Sequence, residues 1–292
     1  MSGIKIISDS SCDLTPELVS KYNISVVPFL VSFNGEKYFR ENIDITNTEF
    51  YKTMRTTDVF PKTSLPTIAT YAEEFKKYTS QGSDVICFNL TSKFSGSHQS
   101  AVNAASAVNE EIGETKVYVV DSIQATCAQG AIVMEAAKMR DAGFTAAQIY
   151  EKINKLKETC IMYITVDSLI YLQRGGRVGK ANALAGTLLN IKPIIVLKDG
   201  ELVPLGKVRG RKKALNELAE NIKKDVGGNM EDYEFFLANA DESEEAEAFA
   251  ESFEKEYGIK LSYPIMDVGV TIGAHIGPTA VGFGYIKKYT SL

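Results

Sequence analysis

Along the first half of the chain, short apolar runs alternate with stretches whose apolar residues recur at helical spacing, the pattern of βαβ units around a parallel sheet. Residues 4–7, 24–33, 85–90 and 117–120 are the predicted strands. Helix starts are marked between them by Thr15-Pro16, with proline at the first helical position, and by the capping boxes Thr46/Glu49, Thr70/Glu73 and Thr145/Gln148. Asn34-Gly35, ahead of residues 36–39, predicts a hairpin on this layered domain. Ala101, Ala104, Ala105, Val108 and Ile112 give the helix that begins near Ser97 a narrow face for close packing. A second helix of that kind runs through Ala125, Ala128, Ile132, Ala136 and Met139 and ends at Gly143.

The texture changes near residue 160. A strand at 160–166 and a short helix at 167–173 lead into the glycine-broken basic loop Arg174-Gly175-Gly176-Arg177-Val178-Gly179-Lys180. A helical stretch at 181–190 precedes the apolar run 193–197, which Asp199-Gly200 turns back into 201–208. A basic helix start, a strand at 233–239, an acidic helix at 242–257 closed by Gly258 and a final strand pair complete the chain. Strands and helices no longer alternate strictly. The expected fold is therefore α/β: an N-terminal Rossmann-like parallel-sheet domain over 1–160 and a C-terminal α+β domain over 161–292.

Composition narrows the function. The 292 residues, 45% hydrophobic and 24% charged, are those of a globular protein able to bury a large core. The net charge of -5 offers no overall attraction to nucleic acid or an anionic membrane, so neither is an expected partner. No signal-peptide core is present at the start, where Lys5 and Asp9 interrupt the apolar run, and a cytoplasmic location is expected. The uncharged stretch 268–286 contains five glycines and Pro278, which makes a lipid-buried helix implausible. Cys12, Cys87, Cys127 and Cys160 are too widely spaced for a metal or redox motif and are expected to be reduced core residues.

Standard enzyme motifs are missing. There is no GxGxxG, P-loop or GxSxG, and the only histidines are His98 and His275, which excludes HExxH and multi-histidine metal sites. What remains are hydroxyl-rich segments at the expected carboxyl ends of strands, where α/β proteins bind ligands: Ser8-Asp9-Ser10-Ser11, residues 91–97, and Asp121-Ser122. Ser95-Gly96-Ser97 opens a helix, so free N–H groups, the helix dipole and two hydroxyls could converge on an anion such as a carboxylate; the same serines could equally be plain caps. Thr63 and Ser64 lie in a second hydroxyl-dense loop, Lys62 to Thr67, held by Pro66. His275 stands in Gly273-Ala274-His275-Ile276-Gly277-Pro278, a frame that suggests irregular backbone shaped for a purpose. Arg174 and Arg177 flank glycines that let the backbone approach a ligand or partner. Residues 207–213 hold five cations, among them Arg209, Arg211 and Lys212, at a helix start whose dipole they oppose; this suggests docking to an acidic or phosphorylated partner.

Taken together, these segments resemble the DegV family of bacterial fatty-acid-binding proteins, whose best understood members are the binding subunits of fatty acid kinase. The resemblance runs in order through Ile6-Ile7-Ser8-Asp9-Ser10-Ser11, Pro61-Lys62-Thr63-Ser64-Leu65-Pro66, Ser92-Lys93-Phe94-Ser95-Gly96-Ser97 and Val120-Asp121-Ser122. It continues in Tyr171-Leu172-Gln173-Arg174-Gly175-Gly176-Arg177, Leu189-Asn190-Ile191-Lys192-Pro193-Ile194, Val208 to Lys213 and Ile272 to Pro278. The sequence departs from the common pattern at Leu65 and at Ser97-His98.

The resemblance implies a long acyl chain held between two domains, its carboxylate gripped by Thr63, Ser95 and His275 with Ser64, Gly96 and Ser97 beside them. It also implies no cofactor, no catalysis by this chain alone, and a separate ATP-binding fatty acid kinase subunit that converts the carboxylate to an acyl-phosphate. In that setting Arg174 or Arg177 would stand near the phosphoryl group, and Arg209, Arg211 and Lys212 would serve docking. Phe29, Phe94, Ile170, Leu188, Leu189 and Ile194 are candidate tail contacts, with core packing as the alternative. Two rival readings are open: a serine hydrolase or acyltransferase using Ser95 or Ser97 with His98 or His275 and Asp9 or Asp121, and a sensor of carboxylate or phosphate metabolites.

Overall fold

A computed structural model describes residues 3–186, 190–258 and 260–292. The chain opens with β1 (Ile4–Asp9), α1 (Pro16–Lys21) and β2 (Ile24–Val27). Thr15 caps α1 by accepting from the Leu18 amide, with Pro16 in the first turn as expected. The apolar run 24–33 does not form one strand. Pro28 has no N–H to donate to a ladder, and beyond it β3 (Leu30–Ser32) leaves for a separate antiparallel sheet with β4 (Phe39–Arg40). The expected hairpin forms, but its partner to Val31 is Phe39, so Asn34-Gly35 lies within a longer connection in which the Asn34 carboxamide accepts from the amides of Glu36 and Lys37.

Next come α2 (Asn47–Thr56), which starts on the Thr46/Glu49 capping box, β5 (Lys62–Ser64), which joins β3, and α3 (Ile68–Thr79). Thr67, not Thr70, caps α3, because Thr67 is the extended residue whose hydroxyl reaches the amide three positions on. β6 (Asp84–Asn89), α4 (Ser97–Ile112), β7 (Val117–Asp121), α5 (Thr126–Asp141) and α6 (Ala146–Leu156) complete the first half. The Thr145/Gln148 box opens α6. Four strands form a wholly parallel sheet in the order β2-β1-β6-β7. Connections leave β1 in opposite directions, so a ligand crevice is expected where β1 and β6 end.

The chain then passes through a 3-10 turn at Lys157–Thr159 into a second sheet. Its elements are β8 (Ile161–Thr165), α7 (Ile170–Arg174), β9 (Ile191–Lys198), β10 (Glu201–Arg209), α8 (Arg211–Val226), β11 (Tyr233–Asn239), α9 (Ser243–Tyr257), β12 (Met266–Asp267), α10 (Val270–Ile276) and β13 (Val281–Lys287). The strand order is β10-β9-β8-β13-β11-β12, antiparallel except for the β11/β12 pair. Asp199 and Gly200, both at positive φ, make the tight β9/β10 turn, and Gly258 closes α9 in the left-handed conformation. The helix expected over 181–190 is reduced to a 3-10 stretch at Gly179–Leu184, and residues 187–189 of that span lie outside the described residues.

Alternation along the strands sorts the core into layers. Ile7, Val85 and Cys87 face α3 and α4, whose buried residues include Tyr71, Phe75, Ala101, Ala104 and Ala105; Ile112, expected on that face, is largely exposed. Ile6 and Ile86 face α5, which is buried along nearly its whole length, and α5 in turn packs against β11 and β13. Met162, Ile164, Ile195 and Leu197 join that central core, while Tyr163, Ile194, Val196 and Phe283 point to the outer layer of α8 and α9. The two sheets thus share one apolar interior, with α5 between them, and the β3/β4/β5 sheet and α2 lean on α10. Among the described residues no helix is long and apolar enough to cross a membrane. All four cysteines are buried and unpaired.

Candidate functional site

The strand ends of the parallel sheet, the β5 edge and the inner face of the six-stranded sheet enclose a cavity of about 760 Å³, mouth included. Phe29, Leu90, Phe94 and Ala125 come from the first half, Met162, Ile164, Leu197 and Leu202 from β8, β9 and β10, and Leu65, Leu172, Ile272 and Ile276 close the remaining walls. The lining is mostly apolar, and the β9/β10 turn is tied to the first half by the Gly200 carbonyl, which accepts from Thr91 Oγ1 at 3.3 Å.

Thr63, Ser95, Gly96, Arg177 and His275 supply polar groups to this apolar space. Strand alternation explains why Thr63 lines the cavity while Ser64, its neighbour in β5, is exposed and absent from the lining. Thr63 Oγ1 lies 2.9 Å from His275 Nε2. His275 does not sit in irregular backbone as expected; it is in the last turn of α10, a helix framed by Gly269 and Gly277. Its Nδ1 is buried without a partner and faces Gly175, where a Cβ would come within 2.2 Å of it. Burial, then the nearby Arg177, lowers the His275 pKa to about 4, so the ring is neutral at neutral pH.

Gly96 precedes α4 and caps it without any side-chain hydrogen bond. Among the described residues Ser95 Oγ accepts only from the Ser97 amide, at 3.2 Å, and it remains on the cavity wall. Ser97 is a different case from the one the sequence suggested. Its hydroxyl is fully buried, donates to Asp9 Oδ2 at 2.9 Å and pairs with the Tyr71 hydroxyl at 2.6 Å, and it does not reach the cavity. Asp9 also accepts from Ser11, Asn89, Gln129 and the Leu90 amide; burial raises its pKa, and the bonds from Ser11, Gln129, the Leu90 amide and Ser97 oppose the rise. This network joins the ends of β1 and β6 to the start of α4, so it fixes the height of Ser95-Gly96 over the crevice.

The arginines separate by position. Arg177 lines the cavity and bridges the two halves, donating from Nε to the Phe94 carbonyl at 3.1 Å and from Nη1 to the Gly175 carbonyl at 2.7 Å. Arg174 lies outside the lining and stacks on the Phe60 ring at 3.7 Å. Arg209 and Lys212 are exposed, but Arg211 is held by Glu245 at 2.7 Å and lies 3.7 Å from Asp167, which makes it a tie between α8 and α9 instead of a free docking cation. Of the expected tail contacts, Phe29 and Phe94 line the cavity. Ile170 is exposed, Ile194 faces the outer layer, and Leu188 and Leu189 lie outside the described residues. Thr126, Thr271 and the inward residues of β8, β9 and β10 also line the cavity and no sequence motif marked them; the run 193–197 is apolar throughout, so it does not tell its inward face from its outer one.

The serine-hydrolase constellation is not assembled. Among the described residues no serine hydroxyl is hydrogen-bonded to His98 or His275, and His275 Nε2 is engaged by Thr63. No group of three metal-ligating side chains occurs among them either.

This two-sheet fold with a lined interface cavity defines a class whose known members are recognisable by comparison. A model of the DegV family matches residues 3–288, and the chain belongs to that family. A DegV domain-containing protein of Clostridium acetobutylicum is 34% identical over 289 residues, covering 99% of this chain and all of the relative. A stearic-acid-binding protein from Eubacterium ventriosum is 36% identical with a TM-score of 0.94 over the full length of both chains. DegV from Bacillus subtilis, described as a fatty acid binding protein, is 29% identical with a TM-score of 0.86, covering 99% of this chain and 100% of that one.

Proposed function

We propose that this protein binds a long-chain fatty acid in the cavity between its two domains, residues 1–160 and 161–292, and presents the carboxylate to a partner. The observation that carries this reading is the pairing of a mostly apolar lining with the neutral donors Thr63, His275 and Ser95, Arg177 being the one cation on the wall among the described residues. Burying a full cation to hold a carboxylate is costly, whereas hydroxyl and amide donors stabilise it without that desolvation. The His275 Nδ1, pressed on Gly175 with no partner, suits an unprotonated nitrogen, since a buried N–H without an acceptor is the costlier orphan. Nε2–H then donates to Thr63 Oγ1, and the Thr63 hydroxyl proton is left for the carboxylate. Ser95 Oγ and the free amides at the start of α4 are the other donors.

Each donor to a charged acceptor contributes about 1.5–3 kcal/mol. Fifteen tail carbons at roughly 0.8 kcal/mol each contribute up to ~12 kcal/mol before ordering costs. Affinity therefore comes from the tail and orientation from the head.

The partner in this reading is an ATP-dependent fatty acid kinase that makes the acyl-phosphate, with Arg177 at the cavity mouth nearest the phosphoryl group. Exposed Arg209 and Lys212 form the docking strip, Arg174 stands beside the mouth, and the chain itself supplies no ATP chemistry. Displacement of a fluorescent fatty acid by palmitate, but not by hexadecanol or a phosphate metabolite, tests the ligand class. Indifference to palmitate rules it out.

A further inference from the structure

α10 carries His275 in its last turn, and contacts at its middle, its far end and its start hold it in place. Tyr51 donates to the Val268 carbonyl just before the helix and packs so closely on Gly273 that a Cβ there would come within 2.4 Å of its hydroxyl. Gly175 and Tyr171 receive the far end, at His275 and Gly277. These packing contacts limit how near the helix comes but define its rotation only loosely. The contact at the start is directional.

Glu41, only 1% exposed and 230 positions from Thr271, accepts from the Thr271 amide at 2.8 Å on Oε1 and from Thr271 Oγ1 at 2.7 Å on Oε2. α10 begins on Gly269, which offers no side chain to the free amides of the first turn, and Glu41 fills that role from a distant segment. The fit needs glycine there, since a Cβ at 269 would lie 2.5 Å from Glu41 Oε1. Glu41 is held in turn. Its Oε2 also accepts from Ser10 Oγ, Ser10 Oγ accepts from the Phe29 amide at 2.9 Å, and the Glu41 amide donates to the Phe29 carbonyl at 3.0 Å. The carboxylate thus joins the 3-10 turn Ser10–Cys12 after β1 to α10, and its neighbours Phe29 and Thr271 both line the acyl cavity.

Thr271 and His275 are four residues apart, so they lie on one face of α10, and both reach the cavity wall. Two bonds from Thr271 to one carboxylate therefore fix the rotation of the helix a single turn before the imidazole. The tolerance is small: a shift of about 1 Å away from Thr63 takes the 2.9 Å contact with His275 Nε2 out of hydrogen-bond range. Burying a carboxylate is costly, and matched apolar groups can serve stability as well; what the carboxylate adds is direction. We infer that Glu41 is the positioning residue of the head-group site, setting through Thr271 the rotation and depth of α10 at which His275 meets Thr63. Its effect on ligand affinity rests on the acyl-carboxylate reading; its effect on the imidazole does not.

The test follows the His275 ring by NMR in ligand-free protein, where His98 is the only other histidine. The wild-type ring titrates at about pH 4. Glu41→Gln is expected to raise that value by about one unit or more toward the ordinary 6.5, because a loosened ring regains water, whereas loss of the negative charge alone would lower it. Calorimetry should show roughly tenfold weaker palmitate binding in Glu41→Gln, and no further weakening when Glu41→Gln is added to His275→Gln. Thr271→Val deletes one of the two bonds and keeps the carboxylate, so it reads the same quantities if Glu41→Gln fails to fold; Thr271→Ser keeps both bonds and should match wild type. An unmoved or lowered His275 titration in Glu41→Gln and Thr271→Val, or additive losses of affinity in Glu41→Gln and His275→Gln, would overturn the inference. A raised titration in protein that ignores palmitate would uphold it and reject the acyl reading.

Discussion

Thr63 Oγ1 and His275 Nε2 are 2.9 Å apart although 212 positions separate them in the chain. The bond joins β5 to α10 across the cavity, and Gly175 backs the imidazole from the opposite side. Replacing Thr63 with alanine is expected to weaken palmitate binding by roughly 10- to 150-fold, the worth of one donor to a charged group. Gly175→Ala is expected to weaken it comparably by displacing His275, whereas Gly176→Ala, at φ +70 with open space around it, costs about 1 kcal/mol of stability and leaves affinity alone. Isothermal titration with palmitate, paired with denaturant melts, checks all three.

Ser95 and Ser97 lie two residues apart but belong to different parts of the molecule. Ser95→Ala is expected to lower palmitate affinity with little change in melting temperature. Ser97→Ala removes one buried donor from Asp9 and one partner from the Tyr71 hydroxyl and is expected to cost about 1–3 kcal/mol of stability. Chemical denaturation and ligand titration on the same two variants separate these outcomes; similar behaviour would mean that the Asp9 network does not divide them.

The fold and the site were legible to different depths. Thr46, Thr145 and the Thr15-Pro16 pair announced their helices because a cap is a local interaction, readable within four residues. The break at Pro28 and the shift from Thr70 to Thr67 were also local, and only the competing signals obscured them. The parallel pairing of the first sheet followed from the alternation of strands and helices, whereas its order β2-β1-β6-β7 is set by packing that no local pattern records. Ser97 was misplaced because its partners, Asp9 and Tyr71, come from distant segments, and a serine after glycine at a helix start looks the same whether it faces a ligand or a buried carboxylate. Arg211 was taken as free for the same reason, since Glu245 meets it only through the packing of α9.

Acid should expose His275. Its folded pKa of about 4 lies below the ordinary 6.5, so between those values the unfolded chain binds a proton that the folded chain does not. The stabilisation is therefore complete above pH 6.5 and is lost as the pH falls toward 4, on the order of 3 kcal/mol in all. Comparing denaturant midpoints of wild type and His275→Gln from pH 7.5 to pH 4 should show the two curves converging as the pH falls. A constant separation would contradict the assignment. A bound carboxylate should restore part of the histidine's basicity, giving proton uptake on palmitate binding at pH 5.5 that His275→Gln abolishes.

The basic strip should divide as the ion pairs do. Arg211→Ala is expected to lower stability modestly through loss of the Glu245 tie. Arg209→Glu is expected to leave stability and palmitate binding intact while reducing acyl-phosphate formation when the kinase partner and ATP are supplied. Melting curves and a coupled phosphorylation assay distinguish the two variants, and equal loss of lipid binding and transfer in Arg209→Glu would show the strip to be structural.

The most direct measurement is the content of the cavity itself. Organic extraction of the purified protein followed by mass spectrometry should yield long-chain fatty acid in near-equal molar amount to protein. Protein that is free of fatty acid after purification and that also fails to take up added palmitate or oleate would contradict the account.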